Sequence, residues 1–159
     1  MTNKILVDVE ENYPVPSWLE KAESFADKVL LEAGYNDEEV SILFCSDSFI
    51  QKLNFQYRNI DSPTDVLSFE NGSTYCDENG RQWFAAGDIV ISLDTLPKNA
   101  EYFEVPQDEE LRRLIVHGLL HLNGYDHGEE HVEKGVEPSC EMLKLQKKIM
   151  TALNKESII

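Results

Sequence analysis

All four histidines of this chain fall between residues 117 and 131, at positions 117, 121, 127 and 131. No other feature constrains the fold as much. From about Gln107 to Asn123, Leu111, Leu114, Ile115, Leu119 and Leu122 recur at helical spacing, so the segment is predicted as an amphipathic helix. Side chains four apart on a helix share a face and lie one turn from each other. His117 and His121 therefore place two imidazoles where a single cation can be gripped. Gly124 stands where a helix can end in a left-handed turn. The chain then doubles back, and His127 can supply a third nitrogen from the loop.

Three imidazoles on one divalent ion, zinc by preference, leave a coordination position for water, the pattern of a catalytic rather than a structural zinc site. Water on such an ion loses a proton near neutral pH and becomes a usable nucleophile. Imidazoles also suit nickel, copper and iron. A helical His pair alone can equally be two half-buried side chains satisfied by hydrogen bonds. The third histidine, with glycine at the turn, tips the reading to metal. His131, beside Glu129, Glu130 and Glu133, reads as a solvated surface residue, with a fourth-ligand or shuttle role as the alternative.

The spacing HxxxHxxGxxH is shared with metzincin-type zinc proteases, whose pattern is HExxHxxGxxH. Here the protease base position is Gly118. Without a carboxylate there, nothing on the helix takes the proton from water during peptide attack, and peptidase activity is disfavoured.

The rest of the chain supplies a frame for this segment. Strands are predicted at 4–10, 39–45, 65–69 and 88–92. Ser17, with Glu20 three residues on, opens a first helix by a capping box, and Gly34 closes it. Ser46 or Asp47 starts a second. Further helices are expected around 94–103, where Pro97 begins or interrupts the turn, and at about 137–154. Two Asn-Gly steps between 71 and 87 predict a hairpin-like excursion at the sheet edge. The order β-α-β-α-β-β-α-α-α makes this a mixed α/β (α+β) chain with about four strands and five helices. With 159 residues and no linker-like shift, one domain over 1–159 is expected.

No apolar run approaches the ~20 residues needed to span a bilayer. The N-terminus alternates polar and apolar residues and lacks the apolar block of a signal peptide, so a cytoplasmic location is expected. Cys45, Cys76 and Cys140 form no CxxC pair, which argues against a disulfide-stapled module; Cys45 reads as a core residue. The balance of 14 basic against 30 acidic residues, a net charge of −16, argues against a protein that coats a nucleic-acid backbone. Lys52, Arg58, Arg81, Arg112 and Arg113 are the candidates for a modest basic surface.

Three blocks together resemble a known family. HGLLHLNGYDH at 117–127 is similar to the signature of the YbeY family of bacterial metal-dependent endoribonucleases. LNFQYRNIDSPTDVLSF at 53–69 and GDIVISLDT at 87–95 resemble its two other blocks, in the same order and at similar separations. The resemblance implies a zincin-like α/β fold with His117, His121 and His127 as ligands of one Zn2+. It also implies single-strand endoribonuclease activity in ribosomal RNA maturation, including 16S rRNA 3′-end processing and ribosome quality control. Arg58, in the family's Tyr-Arg element, would then be functionally important. The residues themselves agree, because Arg58 sits in a polar segment where a guanidinium can clamp a phosphate; the competing reading is a surface arginine paired with Asp61 or Asp65. Thr64 and Asp65 are read as structural caps rather than groups orienting a histidine, and Ser68 and Ser92 as strand-end hydroxyls.

Spacing alone positions no general base. Asp126 is a candidate, although it can instead hold a histidine in its tautomer. If no carboxylate serves, the ribose 2′-hydroxyl attacks and leaves a cyclic phosphate. An acidic chain fits RNA chemistry best when the ribosome or its assembly proteins deliver the RNA, a context that the resemblance implies. The alternatives are a metal-stabilised assembly factor without activity, marked by a fourth ligand such as His131, and a metal-dependent hydrolase of another bond.

Overall fold

The chain runs β1 (Lys4–Val9), α1 (Leu19–Glu32), β2 (Glu38–Cys45), α2 (Asp47–Arg58), β3 (Val66–Cys76), β4 (Gln82–Ser92), α3 (Leu96–Phe103), α4 (Gln107–Leu122) and α5 (Glu141–Ala152). These elements are those of a computed structural model that describes residues 2–128, 130–133 and 135–159. The strands form one mixed sheet in the order β1-β2-β4-β3. β1, β2 and β4 are parallel, and β3 pairs antiparallel with β4 at the edge. This is the mixed α/β architecture that the sequence predicts.

Side chains alternate across the two central strands, and both faces are covered. Ile42 and Phe44 of β2, with Ile89 and Ile91 of β4, join α1, α4 and α5 in the larger core. Cys45, Leu67 and Val90 join Ile50 of α2 in a smaller core. Burial there pushes the Cys45 thiol up to about 12, so it is inert packing, as expected.

α4 runs through the middle, touching β3, β4, α1, α3 and α5. Leu111, Leu114, Ile115, Val116, Leu119 and Leu120 are all fully buried. Each such side chain contributes about 1.5–3 kcal/mol, so packing rather than propensity fixes this helix. Only one strip escapes burial, and it carries Arg113, His117 and His121 at four-residue intervals into a cleft. Gly118 faces β4, where an added Cβ would stand 2.9 Å from Ile89 Cδ1. The position of a protease's base is thus pressed against the sheet.

Three features differ from the sequence reading. Ser17 does not cap α1: the helix starts at Leu19, with Trp18 at the N-cap and no side-chain cap. Trp18 packs edge-on against Phe44, ring centroids 5.1 Å apart, so tertiary packing replaces the capping box. β3 and β4 are 11 residues each, far longer than 65–69 and 88–92. Asn79-Gly80 lies at the hairpin tip, whereas Asn71-Gly72 forms a bulge within β3, where Asn71 Oδ1 accepts from the Ser73 N–H at 3.1 Å. α5 begins at Glu141 rather than near 137, because the preceding stretch contains Pro138. No helix among the described residues is long and apolar enough to cross a membrane.

Candidate metal centre

α4 ends in the turn that the glycine foreshadows. Gly124 takes φ +89°, its N–H donates to the His121 carbonyl at 3.1 Å, and the Tyr125 N–H donates to the Leu120 carbonyl at 3.1 Å. This paired closure reverses the chain and carries His127 back over the helix. The three rings stand 4.6, 5.2 and 5.3 Å apart, centroid to centroid. One nitrogen from each lies within 4.8 Å of the other two.

The hydrogen bonds around these rings decide what they can hold. His117 Nδ1–H donates to Gln146 Oε1 at 2.8 Å, which leaves its Nε2 lone pair exposed. His121 bonds the Tyr125 backbone. The two Nε2 atoms then face each other at 3.1 Å. Two lone pairs at that distance repel unless a proton or a cation lies between them. Tetrahedral zinc ligands at 2.0–2.1 Å stand about 3.4 Å apart, close to this separation. His127 contributes a buried Nδ1 without a hydrogen-bond partner, an unsatisfied acceptor or donor of the kind that a ligand relieves. The donor set fits a borderline metal ion.

Burial keeps the rings ready to bind. Desolvation lowers His117 to about 4 and also lowers His121, to which His127 adds a repulsive contribution. Both imidazoles are therefore neutral at pH 7, the form a metal requires.

The centre opens into a cleft of about 750 Å³ whose walls include Arg58, Thr64, Asp65, Glu70, Tyr102, Arg113 and Asp126. Arg58 belongs to the last turn of α2 rather than to a loop, and Asn59 ends that helix in the left-handed region at φ 57°. Its guanidinium is exposed and makes no ion pair among the described residues. The pairing with Asp61 or Asp65 does not form, because both acids are engaged elsewhere. Asp61 accepts from Gln51 at 3.0 Å. Asp65 caps the Val66 N–H at 2.7 Å and accepts from Asn99 at 2.8 Å. It reaches no histidine, so its structural reading fits the geometry.

Asp126 does not orient a histidine either. Its Oδ1 accepts from the Gly128 N–H at 3.0 Å, a bond that holds its carboxyl below the usual range. His131 is exposed on the rim, its ring 5.3 Å from that of His127, and stands outside the three-nitrogen group. Glu129 lies outside the described residues. Glu130 is no bystander: its carboxylate accepts from the Ser139 and Cys140 N–H groups at 2.8 and 2.7 Å, just before α5, and falls to about 2 chiefly through the Ser139 bond. It ties the loop after His127 to the helix that supplies Gln146.

Of the five cations expected to form a basic surface, only Arg58 and Arg113 line the cleft. Arg113 is gripped by Glu110 through two 2.7 Å bonds. Arg81 pairs with Asp37, and Arg112 with Asp108. The sequence reading passed over Gln146, Glu70 and the Asn99–Glu110–Arg113 network. Gln146 had a signal: a polar residue between Leu143 and Ile149 on the buried stripe of α5.

Comparison with known proteins points to one family. The family model described as Endoribonuclease YbeY matches residues 7–154. A protein from Treponema denticola named Endoribonuclease YbeY is 51% identical over 150 residues, covering 94% of this chain and 93% of the relative. A protein of that name from Aquifex aeolicus is 38% identical, covering 86% and 84%. The solution structure of TM1509 from Thermotoga maritima superposes with a TM-score of 0.60 at 28% identity, covering 95% of this chain and 90% of that one.

Proposed function

This chain belongs to the YbeY endoribonuclease family, and on that premise we propose that it cleaves single-stranded ribosomal RNA with a divalent metal, zinc by preference, held by His117, His121 and His127. The observation that carries the reading is the convergence of three half-buried imidazoles in one cleft with a guanidinium, that of Arg58, which makes no ion pair among the described residues. When bound, the ion supplies Lewis acidity toward a phosphate oxygen and acidifies a water. Gln146 fixes the tautomer of His117 and aims its Nε2 at the ion. Arg58 binds a non-bridging oxygen of the scissile phosphate and stabilises the charge that grows there. Glu70 and Asp126 are the unburied carboxylates on the cleft wall that can accept the proton of the attacking oxygen. The Gly128 bond lowers Asp126 and so weakens it as a base.

The substrate is delivered by the ribosome or its assembly proteins, a route suited to a chain of net charge −16, and the work is done in the cytoplasm. A closed, purely structural metal site needs a fourth side chain, and His131 does not join the group. The test is product analysis on a defined single-stranded RNA with and without zinc. A 5′-phosphate product identifies attack by water, and a 2′,3′-cyclic end identifies attack by the ribose. No cleavage under either condition defeats the enzyme reading.

A further inference from the structure

The charge of this chain closes the usual route to RNA affinity, and the cleft shows what replaces it. Its walls carry three carboxylates, Asp65, Glu70 and Asp126, against two guanidinium groups, Arg58 and Arg113. Arg113 is already neutralised by Glu110, with Asp65 a further 3.8 Å contact. Among the described residues that line the cleft, Arg58 is the guanidinium left for phosphate. Affinity built on phosphate neutralisation scales with the number of such contacts, and one or two give little.

Tyr102 stands on the same wall, on the last turn of α3, and is 62% exposed. Leu96 and Ala100 bury the opposite side of that short helix in the core, so the ring rides on a fixed base. Phe103 braces it edge-on, centroids 5.0 Å apart and planes at 79°. Phe103 lies in turn beneath the Arg113 guanidinium, 5.1 Å from its ring. An aromatic ring held out toward a binding cleft and stiffened from behind loses little conformational freedom when a flat ligand covers it.

We infer that Tyr102 is a stacking platform for a nucleobase of the bound strand, and that stacking rather than phosphate neutralisation supplies most of the affinity of the cleft. Stacking is tolerant of base identity, because every base presents a π-face, and it neutralises no phosphate, so it adds nothing to the salt slope. The inference rests on the endoribonuclease reading and adds to it a residue that holds the strand without touching the reacting bond.

The test is fluorescence anisotropy of a short, end-labelled single-stranded RNA with the zinc-loaded protein, read in the cold before product forms and repeated from low to high potassium chloride. The wild type should give a slope of log K against log salt of about −0.7 to −1.4, the value for one or two phosphate contacts on a single strand. Tyr102→Ala should weaken binding about 5- to 150-fold with the slope unchanged, and Tyr102→Phe should restore it. In turnover, Tyr102→Ala should raise KM and leave kcat within about twofold. Arg58→Ala should flatten the slope by about 0.7. The inference is overturned if Tyr102→Ala binds like the wild type, if Tyr102→Phe fails to rescue, or if the wild-type slope is steeper than about −3. Failure of the wild type to bind any single-stranded RNA overturns the endoribonuclease reading and this inference with it; normal binding by Tyr102→Ala overturns the inference alone.

Discussion

Arg81 and Arg58 are both exposed arginines, one near the tip of the β3–β4 hairpin and one at the metal cleft, and the protein uses them in opposite ways. Arg81 donates to Asp37 Oδ1 at 2.9 and 2.5 Å and to the Thr2 carbonyl at 2.7 Å, and its guanidinium lies 4.1 Å from the Trp83 ring. Lys4 covers the same ring at 4.6 Å. At that end of the sheet each of these cations is committed to holding strands together. At the cleft, Arg58 has no such partner among the described residues, two imidazole nitrogens face each other at 3.1 Å, and a buried ring nitrogen of His127 goes unmatched. A satisfied region stabilises the fold, whereas an unsatisfied one is complementary to something outside the chain.

The sharpest way to break this contrast is at the imidazoles. Replacing His117 and His121 together by alanine should abolish stoichiometric zinc and lower RNA cleavage by about three orders of magnitude or more, since metal catalysis is worth several kcal/mol; metal analysis and a cleavage assay on the same sample check both. Next come the two arginines. Arg58→Ala should reduce cleavage about 10²–10³-fold with no change in zinc content or melting temperature. Arg81→Ala should leave cleavage intact and lower the melting temperature by about 2–4 °C, because an exposed ion pair with a stacked ring is worth roughly 1 kcal/mol. The reverse pattern would erase the distinction. Gln146→Leu should weaken zinc about 10- to 100-fold in a competition titration, through loss of the orienting bond on His117.

The smallest effect is on pH. Desolvation holds His117 at about 4 in the folded chain, against about 6.5 when unfolded. Between those values the unfolded chain binds a proton that the folded one refuses, so stability falls as pH falls below about 6.5. For the zinc-free protein, urea midpoints should show a loss of about 1 kcal/mol from this group by pH 5.5. Zinc keeps the same ring unprotonated in the folded chain, so stoichiometric zinc should raise stability at pH 7 and leave this loss in place or steepen it; a flatter pH curve with zinc than without it would contradict the assignment.

Local signals in the sequence were reliable where the local chain alone decides the geometry. The His117–His121 spacing and Gly124 needed only the helix period and a left-handed turn, and both act as the spacing predicts. Ser46 caps α2 and accepts from the Phe49 N–H at 3.2 Å, as its position suggests. Ser17 looked equivalent but lost to packing of Trp18 on Phe44, a contact 26 residues away in the chain that no local pattern encodes. Gln146 was missed for the same reason: its partner is 29 residues distant and belongs to another helix. The polar run after Gln56 hides the end of α2 in the sequence, whereas Asn59 closes the helix in the left-handed region and leaves Arg58 on its last turn.

The most direct test of the account is a zinc titration of metal-stripped protein, following cleavage of a defined single-stranded RNA. The account predicts that activity rises linearly and levels off at one zinc per chain, and that the His117→Ala, His121→Ala variant stays inactive at every zinc concentration. Full activity in the stripped protein, or equal activity in the double variant, would contradict it.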